Sequence, residues 1–326
     1  MPRPRKLIFH KTVLFVTTSV EEGLVFPANA VVKAVLRSAL ARAQSLHPVV
    51  VSHFLFEATH AHFVMVVENP DDVKGFIERF KTESAHAVNR LLGRKKRTVW
   101  CRGYDSPVLL TVGDVLEKIV YLYINPAKDN LEESVKKYPG LSSWEMFTKN
   151  RHKHQWAWVH RPGVPSLKGK ALSAEGYNQV AGEMVAGAWG KRQEFCVEPD
   201  AWMGCFGVRD PKEKARLNER IVEQVQARED SYRERRIRQG KTVMGRKRLV
   251  AQGQDLGYRS EREGRQTWCI CSDRGRRKEF INWVKGLIER AYDVYLRWRM
   301  GDYTLAYPLG LYAPSLPKLA EPLGVW

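Results

Sequence analysis

The chain has 326 residues, of which 44% are hydrophobic, a content typical of a globular protein with a buried core. Its 54 Lys and Arg residues outnumber 36 Asp and Glu residues, so the formal net charge is +18 at pH 7 and a polyanion is the expected partner. No apolar stretch approaches the length of a transmembrane helix, and His10 and Lys11 interrupt the apolar run near the N-terminus. The composition therefore excludes a membrane-spanning chain and predicts a soluble, cytoplasmic protein.

The first half of the predicted fold alternates between strands and helices. Residues 11–20 are rich in β-branched side chains, which indicates a strand, and residues 27–46 carry apolar side chains at helical spacing. Residues 47–57 and 60–68 predict two further strands joined by a very short turn.

The next segment begins with a strong helix start. Asn69 is a good N-cap, and the helix that it opens is predicted to end at Gly93. An extended piece follows over 97–105, and a third helix is predicted from Gly113 to the residue before Pro126.

The order strand, helix, strand, strand, helix, strand, helix predicts an α+β fold. We expect a ferredoxin-like antiparallel sheet with its helices on one face. Beyond it, residues 211–240 form a long charged helical pattern and 277–301 an amphipathic one. We therefore divide the chain into a catalytic domain over 1–148 and a basic, mainly helical accessory region over 149–326.

Two histidines lie one residue apart at the start of the third strand. Because side chains alternate along a strand, His60 and His62 point to the same face. Two neutral imidazoles bind a divalent ion only with a further ligand. On the third helix, Tyr121 and Asn125 are four residues apart and lie one above the other. If that helix covers the face of the histidines, Asn125 completes a metal site and Tyr121 stands beside it.

These residues carry a resemblance to a known family. The His-Ala-His segment resembles the HUH motif, and "YLYINPAKDNL" at 121–131 resembles the Y-x-x-x-N-P-v-[RK]-x-x-L segment of single-tyrosine HUH transposases. The chain is most similar to the branch of REP-associated tyrosine transposases, over about residues 8–147, including "VWCRGYDSPV" and "YPGLSSWEMF".

The resemblance implies a role for each matching residue. His60 and His62 match the metal-binding histidines, Asn125 the third metal ligand, and Tyr121 the nucleophile. It also implies Mg²⁺ or Mn²⁺ as cofactor, single-stranded DNA folded as a hairpin as substrate, and a 5′-phosphotyrosine intermediate with a free 3′-hydroxyl. Some relatives exchange the tyrosine helix between subunits, so both a monomer and a homodimer are compatible with the resemblance.

The sequence departs from the family pattern at two places. Glu57, Ala58 and Thr59 stand where the family usually has Met, Pro and Asn, and Tyr123 stands where relatives often carry His. Tyr123 is thus a second candidate nucleophile. We favour Tyr121 because it alone is four residues from Asn125.

Basic residues outside this constellation are candidate DNA contacts. The alternative for each is a solvated, charged surface without a partner. The candidates are Arg94, Lys95, Lys96, Arg97, Arg102, Arg235, Arg236, Arg246, Lys247 and Arg248. Trp156 and Trp158 are candidates to stack on unpaired bases, with core packing as the alternative.

Three functions remain open on the sequence. The favoured one is a metal-dependent, single-strand-specific DNA endonuclease and strand transferase, associated with the nucleoid. The second is a domesticated transposase that binds DNA repeats without cutting them. The third is an RNA-binding ferredoxin-like module, which lacks the usual base-stacking aromatic pair on its strands.

Overall fold

The computed structural model of the protein describes residues 6–21, 24–95, 97–168, 170–253 and 267–317. The elements up to residue 148 are β1 (Val13–Ser19), α1 (Ala30–Leu46), β2 (Val50–Phe56), β3 (His60–Val66), α2 (Pro70–Leu91), β4 (Val108–Leu109), α3 (Val112–Lys128) and α4 (Trp144–Thr148). The later elements are β5 (Lys153–Ala157), a 3₁₀ turn (Arg161–Gly163), α5 (Ala174–Ala186), β6 (Arg192–Cys196), α6 (Ala201–Gly204), α7 (Pro211–Arg238), α8 (Gly245–Ala251), β7 (Cys269–Ile270) and α9 (Arg274–Arg299). The α+β class predicted from the sequence is confirmed.

The main sheet has five strands in the order β2-β3-β1-β4-β7. The pairs β2–β3, β3–β1 and β1–β4 are antiparallel, while β7 pairs with β4 in parallel and forms one edge of the sheet. The extended piece predicted over 97–105 forms two isolated bridges, from Asp105 to Thr17 of β1 and from Trp100 to Val20, which follows β1. The regular strand starts only at Val108.

Helices cover both faces of this sheet, which differs from the prediction of helices on one face. The central strands are apolar on both sides, so each side needs cover. One face packs against α1 and α2 through Leu14, Val16, Phe63 and Met65. The other packs against α3 through Val13, Phe15, Val64 and Val66, and α7 covers the outer side of α3.

The helix α3 runs past Pro126, where the prediction ended it. Proline lacks one N–H donor, which costs one backbone hydrogen bond in the last turn. The turn is nevertheless closed, because the Asp129 N–H donates to the Asn125 carbonyl at 2.9 Å and the Leu131 N–H to the Pro126 carbonyl at 2.8 Å. The extension brings Lys128 onto the same helix as Tyr121.

Elements after residue 148 share the core of the main sheet. Val284 and Ala291 of α9 are fully buried in the cluster that contains α1 and α2. A separate two-stranded sheet of β5 and β6 lies against α1. Among the described residues, no helix has an apolar stretch long enough to cross a membrane.

Candidate active site

The two histidines of the His-Ala-His segment lie together at one end of the sheet. His60 is the first residue of β3 and His62 the third, and β1 runs beside them with Ser19 opposite His60 and Thr17 opposite His62. The two imidazole rings are 4.6 Å apart between centroids. Period-two alternation therefore puts both rings on one face, as predicted.

Hydrogen bonds hold one nitrogen of each ring. His62 Nδ1 lies 2.9 Å from Thr17 Oγ1, and His60 Nδ1 lies 3.0 Å from Thr59 Oγ1. His62 Nε2 is buried without a hydrogen-bond partner, and His60 Nε2 lies 3.5 Å from Glu57 Oε2. The Nε2 atoms are thus the ones left to bind something further.

Both imidazoles are neutral near pH 7. Burial lowers the pKa of His60 to about 4, with Asp129 opposing the shift and Lys128 adding to it. The pKa of His62 is also well below its ordinary value, because of burial first and then of the nearby His60 and Lys128. A neutral imidazole nitrogen is the form that binds a metal ion.

The helix α3 lies over the same face and brings Tyr121 to the histidines. The rings of Tyr121 and His62 are 5.7 Å apart between centroids, and Phe15 contacts both. Asn125, one turn further along the helix, is fully buried. The spacing of four residues therefore puts both side chains on the side of α3 that faces the histidines.

Lys128 connects the tyrosine to the asparagine. Its Nζ donates to the Tyr121 hydroxyl at 3.2 Å and to Asn125 Oδ1 at 2.7 Å, and lies 3.6 Å from Asp129 Oδ1. Burial lowers the pKa of Lys128, but Asp129 and Tyr121 offset this, so that the net shift is upward. The side chain is a stable ammonium beside the phenol oxygen.

A buried carboxyl group from the turn before β3 completes the cluster. Glu57 is 4% exposed, and its Oε1 has no hydrogen-bond partner. Burial, and then the neighbouring Asp129, raise the pKa of Glu57 to about 8, although Lys128 opposes the shift. Sequence reasoning did not select Glu57, Lys128 or Asp129. The signal available for Glu57 was its position three residues before His60.

Tyr123 is not placed for nucleophilic attack. It is fully buried, and its hydroxyl lies 2.8 Å from His53 Nδ1 and 2.9 Å from Ser143 Oγ. Burial raises its pKa far above the ordinary range. Of the two candidate tyrosines, Tyr121 is the one whose ring contacts His62.

The donor set fits a divalent ion in part. Two neutral imidazole nitrogens and an amide oxygen are suitable ligands, and the buried, unpartnered atoms of His62 and Glu57 lie in the same cluster. However, the oxygen of Asn125 accepts a hydrogen bond from Lys128. Within the described ranges, no group of three or more His, Cys, Asp and Glu side chains is arranged to hold a metal. An ion at the two histidines would therefore rely on Asn125 or on atoms from outside the protein.

Most of the predicted DNA contacts are exposed. Lys95, Arg97, Arg102, Arg235, Arg246, Lys247 and Arg248 are exposed, Arg94 is half-buried, and Lys96 lies outside the described residues. The Cys101 N–H donates to the Ser19 carbonyl, so the basic loop before it ends beside His60. The Arg246 N–H donates to Glu132 Oε2, which sets the start of α8 just beyond Asp129.

Arg236 differs from the prediction of an exposed phosphate contact. It is 4% exposed, and its guanidinium donates to Glu133 at 2.8 Å and to the Ala127 carbonyl at 2.7 Å. It fastens α7 to the end of α3, and we do not include it among the proposed DNA contacts.

Comparison with known proteins gives little beyond this geometry. No protein-family model and no curated protein matches the sequence. Among solved structures, the chain is similar to a REP-associated tyrosine transposase bound to a REP hairpin, with 17% identity, over 46% of this chain and 87% of the other, at a TM-score of 0.39. A TM-score this low carries no argument about fold or function, so any functional assignment depends on the residues of this chain.

Proposed function

We propose that the protein is a metal-dependent endonuclease and strand transferase that acts on single-stranded, hairpin-forming DNA through Tyr121. One observation carries the proposal: Tyr121 lies against His62, with Lys128 bonded to both the phenol oxygen and Asn125. A nucleophile, a cation and two neutral imidazoles thus lie in one half-buried cluster on a rigid helix and strand.

The proposed reaction is an in-line displacement at a phosphodiester. The Tyr121 oxygen forms a bond to phosphorus, the bond from phosphorus to the 3′-oxygen breaks, and the phenol proton is transferred so that the strand leaves with a 3′-hydroxyl. The 5′-phosphate stays on the tyrosine, and a second 3′-hydroxyl reverses the step and rejoins DNA. The energy of the phosphodiester is conserved in this exchange.

The residues around the phenol have distinct parts in this step. The phenol of a tyrosine, whose pKa in water is about 10, is a poor nucleophile at neutral pH. The ammonium of Lys128 stabilises the negative charge that develops on the phenol oxygen as its proton leaves. Phe15 fixes the ring by its contacts with Tyr121 and His62.

His60, His62 and Asn125 are the residues that would hold Mg²⁺ or Mn²⁺. At these residues, a divalent ion would supply polarisation of a phosphate oxygen and stabilisation of transition-state charge. Thr17 and Thr59 orient the imidazoles by their bonds to Nδ1 and so direct Nε2 toward the site.

The basic residues nearest the site are proposed to hold the DNA backbone. Arg97 and Arg102 flank the loop that ends beside His60, and Arg246 starts the helix next to Asp129. Their contacts are electrostatic, so DNA binding should weaken steeply with salt.

A covalent-adduct assay tests the proposal. A hairpin oligonucleotide labelled on the 3′ side of the cleavage point is incubated with the protein and Mg²⁺ or Mn²⁺, and an SDS-stable protein–DNA adduct is sought on a gel. We expect an adduct that Tyr121→Phe abolishes and Tyr123→Phe retains. DNA binding without an adduct would favour a non-catalytic repeat-binding protein. Preference for RNA without an adduct would favour the RNA-binding alternative.

A further inference from the structure

Trp189 has an unusual position after helix α5. Its side chain is 82% exposed, and its backbone has φ of 47°, in the left-handed region. Gly190, which comes next, is also left-handed, with φ of 73°. This conformation disfavours residues with a Cβ, and a bulky side chain there is uncommon. Neither the backbone nor burial of apolar surface favours tryptophan at this position.

Trp189 ends a row of three rings. The His160 ring lies 6.2 Å from Trp189 and 6.0 Å from Trp158 between centroids, with interplanar angles of 43° and 29°. The guanidinium of Arg42 lies 5.3 Å from the Trp158 ring. The row is therefore supported from α1 at one end, while its other end is the exposed face of Trp189. We name Trp158, His160 and Trp189 the aromatic row.

Trp156, on β5 and two residues before the start of this row, behaves differently. Its ring stacks on Phe195 at 4.7 Å and 14° and is partly buried against the core. Core packing thus accounts for Trp156, whereas nothing in the described part of the chain covers the outer face of Trp189.

The surroundings of the aromatic row are basic. Arg161 and Lys191 are exposed and adjoin the row in sequence, and no acidic side chain of the described residues forms an ion pair with either. Of the acids in this region, Glu83 pairs with Arg42 at 2.9 Å and Glu194 with Lys153 at 3.3 Å, while the Glu183 carboxylate on α5 accepts a hydrogen bond from Gln179. An exposed aromatic face flanked by unpaired cations is complementary to an unpaired base and its phosphates.

We propose that the aromatic row is a stacking platform that binds an unpaired base of single-stranded DNA, outside the Tyr121 site. The inference rests on the proposed function only for its choice of DNA as the nucleic acid. The platform is remote from the catalytic cluster. The segment that leads into α1 lies beside the turn before His60, because the Phe26 N–H donates to the Ala58 carbonyl. Arg42, which contacts Trp158, lies about 18 Å further along α1 than the first residue of that helix. It would hold the strand that extends away from the hairpin.

Fluorescence anisotropy with labelled DNA tests the platform. The probes are a single-stranded oligodeoxynucleotide, the same sequence as a duplex, and the single strand in RNA, each titrated at fixed salt. We expect Trp189→Ala to weaken single-strand binding about 5- to 100-fold and to leave duplex binding unchanged, because paired bases do not offer their faces. Trp189→Phe should restore most of the affinity.

Two further variants separate a binding role from a structural one. Trp189→Gly removes the ring but suits the left-handed backbone, so its Tm should equal or exceed that of the wild type while single-strand affinity is lost. Tyr292→Ala removes another exposed aromatic side chain, 54% exposed on α9, and should leave single-strand affinity unchanged.

The outcomes distinguish this inference from the proposed function. Equal single-strand affinity of wild type and Trp189→Ala, with the Tyr121-dependent adduct intact, overturns the platform alone. An equal loss of affinity for the single strand and the duplex also overturns it. A change from dimer to monomer in Trp189→Ala overturns it as well, because the ring would then belong to a subunit contact. Stronger binding of the RNA strand overturns DNA as the occupant. Absence of any single-strand binding by the wild type overturns both proposals.

Discussion

Replacement of Lys128 by Gln probes the central contact of the candidate site. The variant keeps a side chain of similar length but removes the ammonium that lies 3.2 Å from the phenol oxygen. At that separation, two unit charges interact by about 5 kcal/mol at an effective dielectric of about 20 and by about 1.3 kcal/mol in bulk water. The Lys128 side chain is 30% exposed, and only part of a charge develops on the phenol, so the lower part of this range applies. We expect a loss of about 1–2 kcal/mol in transition-state stabilisation, or about 5- to 30-fold in rate.

The measurement is the single-turnover rate of adduct formation, with DNA and Mn²⁺ both saturating so that binding does not contribute. Lys128→Arg keeps the charge and should stay within about threefold of the wild type. The Tm of each variant shows whether loss of the hydrogen bond from Lys128 to Asn125 destabilises the fold. A Gln variant that reacts at the wild-type rate would refute the assigned role of Lys128 while leaving Tyr121 as the nucleophile.

Three other predictions address residues outside the reacting atoms. Tyr123→Phe should cost about 1–3 kcal/mol in the free energy of unfolding, because the buried His53 and Ser143 side chains lose a hydrogen-bond partner. The adduct yield of the folded variant should equal that of the wild type. Loss of the adduct in folded protein would instead identify Tyr123 as the nucleophile. Burial raises the pKa of Glu229 from 4.5 to about 7, so its contribution to stability is full below pH 4.5 and is lost as pH rises through 7. Glu229→Gln should remove about 1–2 kcal/mol of this pH dependence in urea unfolding, and an unchanged pH profile would show that the carboxyl ionises freely. Arg236→Ala should cost about 2–3 kcal/mol of stability and leave the salt dependence of DNA binding unchanged. Arg246→Ala should cost little stability but lower the slope of log K for DNA binding against log salt concentration by about 1. The reverse pattern would contradict both assignments.

The fold was predictable where apolar periodicity is strong. The helix start at Asn69 is an example: its side chain accepts a hydrogen bond from the Asp71 N–H at 3.2 Å, as the N-cap pattern predicts. The sidedness of the sheet was not predictable in the same way. Alternation in β1 gives apolar residues on both faces, and a sequence does not state which helix covers which face.

Within the candidate site, too, the residues that were predictable are those related by a regular period. His60, His62, Tyr121 and Asn125 follow from the periods of a strand and a helix, and the structure brings them to one face. Lys128 fills the [RK] position of the 121–131 motif, but its contact with Tyr121 was not predicted because the helix was expected to end before Pro126.

Turn and loop residues are harder still, because no period relates them to the elements that they join. Glu57 enters the cluster through the conformation of the turn between β2 and β3, and Trp189 through a left-handed backbone after α5. A left-handed backbone is expected at glycine or asparagine. The sequence therefore gives no signal for this conformation at Trp189.

The core beneath the cluster determines whether the site exists at all. Along β3, His60 and His62 are followed on the same face by Val64 and Val66, which pack under α3. A slip of one residue in the pairing of β3 with β1 would turn both valines and both histidines to the opposite face, where α1 and α2 lie. The two valines thus fix the strand register through burial, and the same register directs the imidazoles toward Tyr121. Because one apolar stripe of α3 is buried on these valines, Tyr121 and Asn125 have little freedom to rotate away from the histidines. The polar cluster is consequently held by the apolar half of the same strand and helix, and its geometry should persist in variants that alter its chemistry.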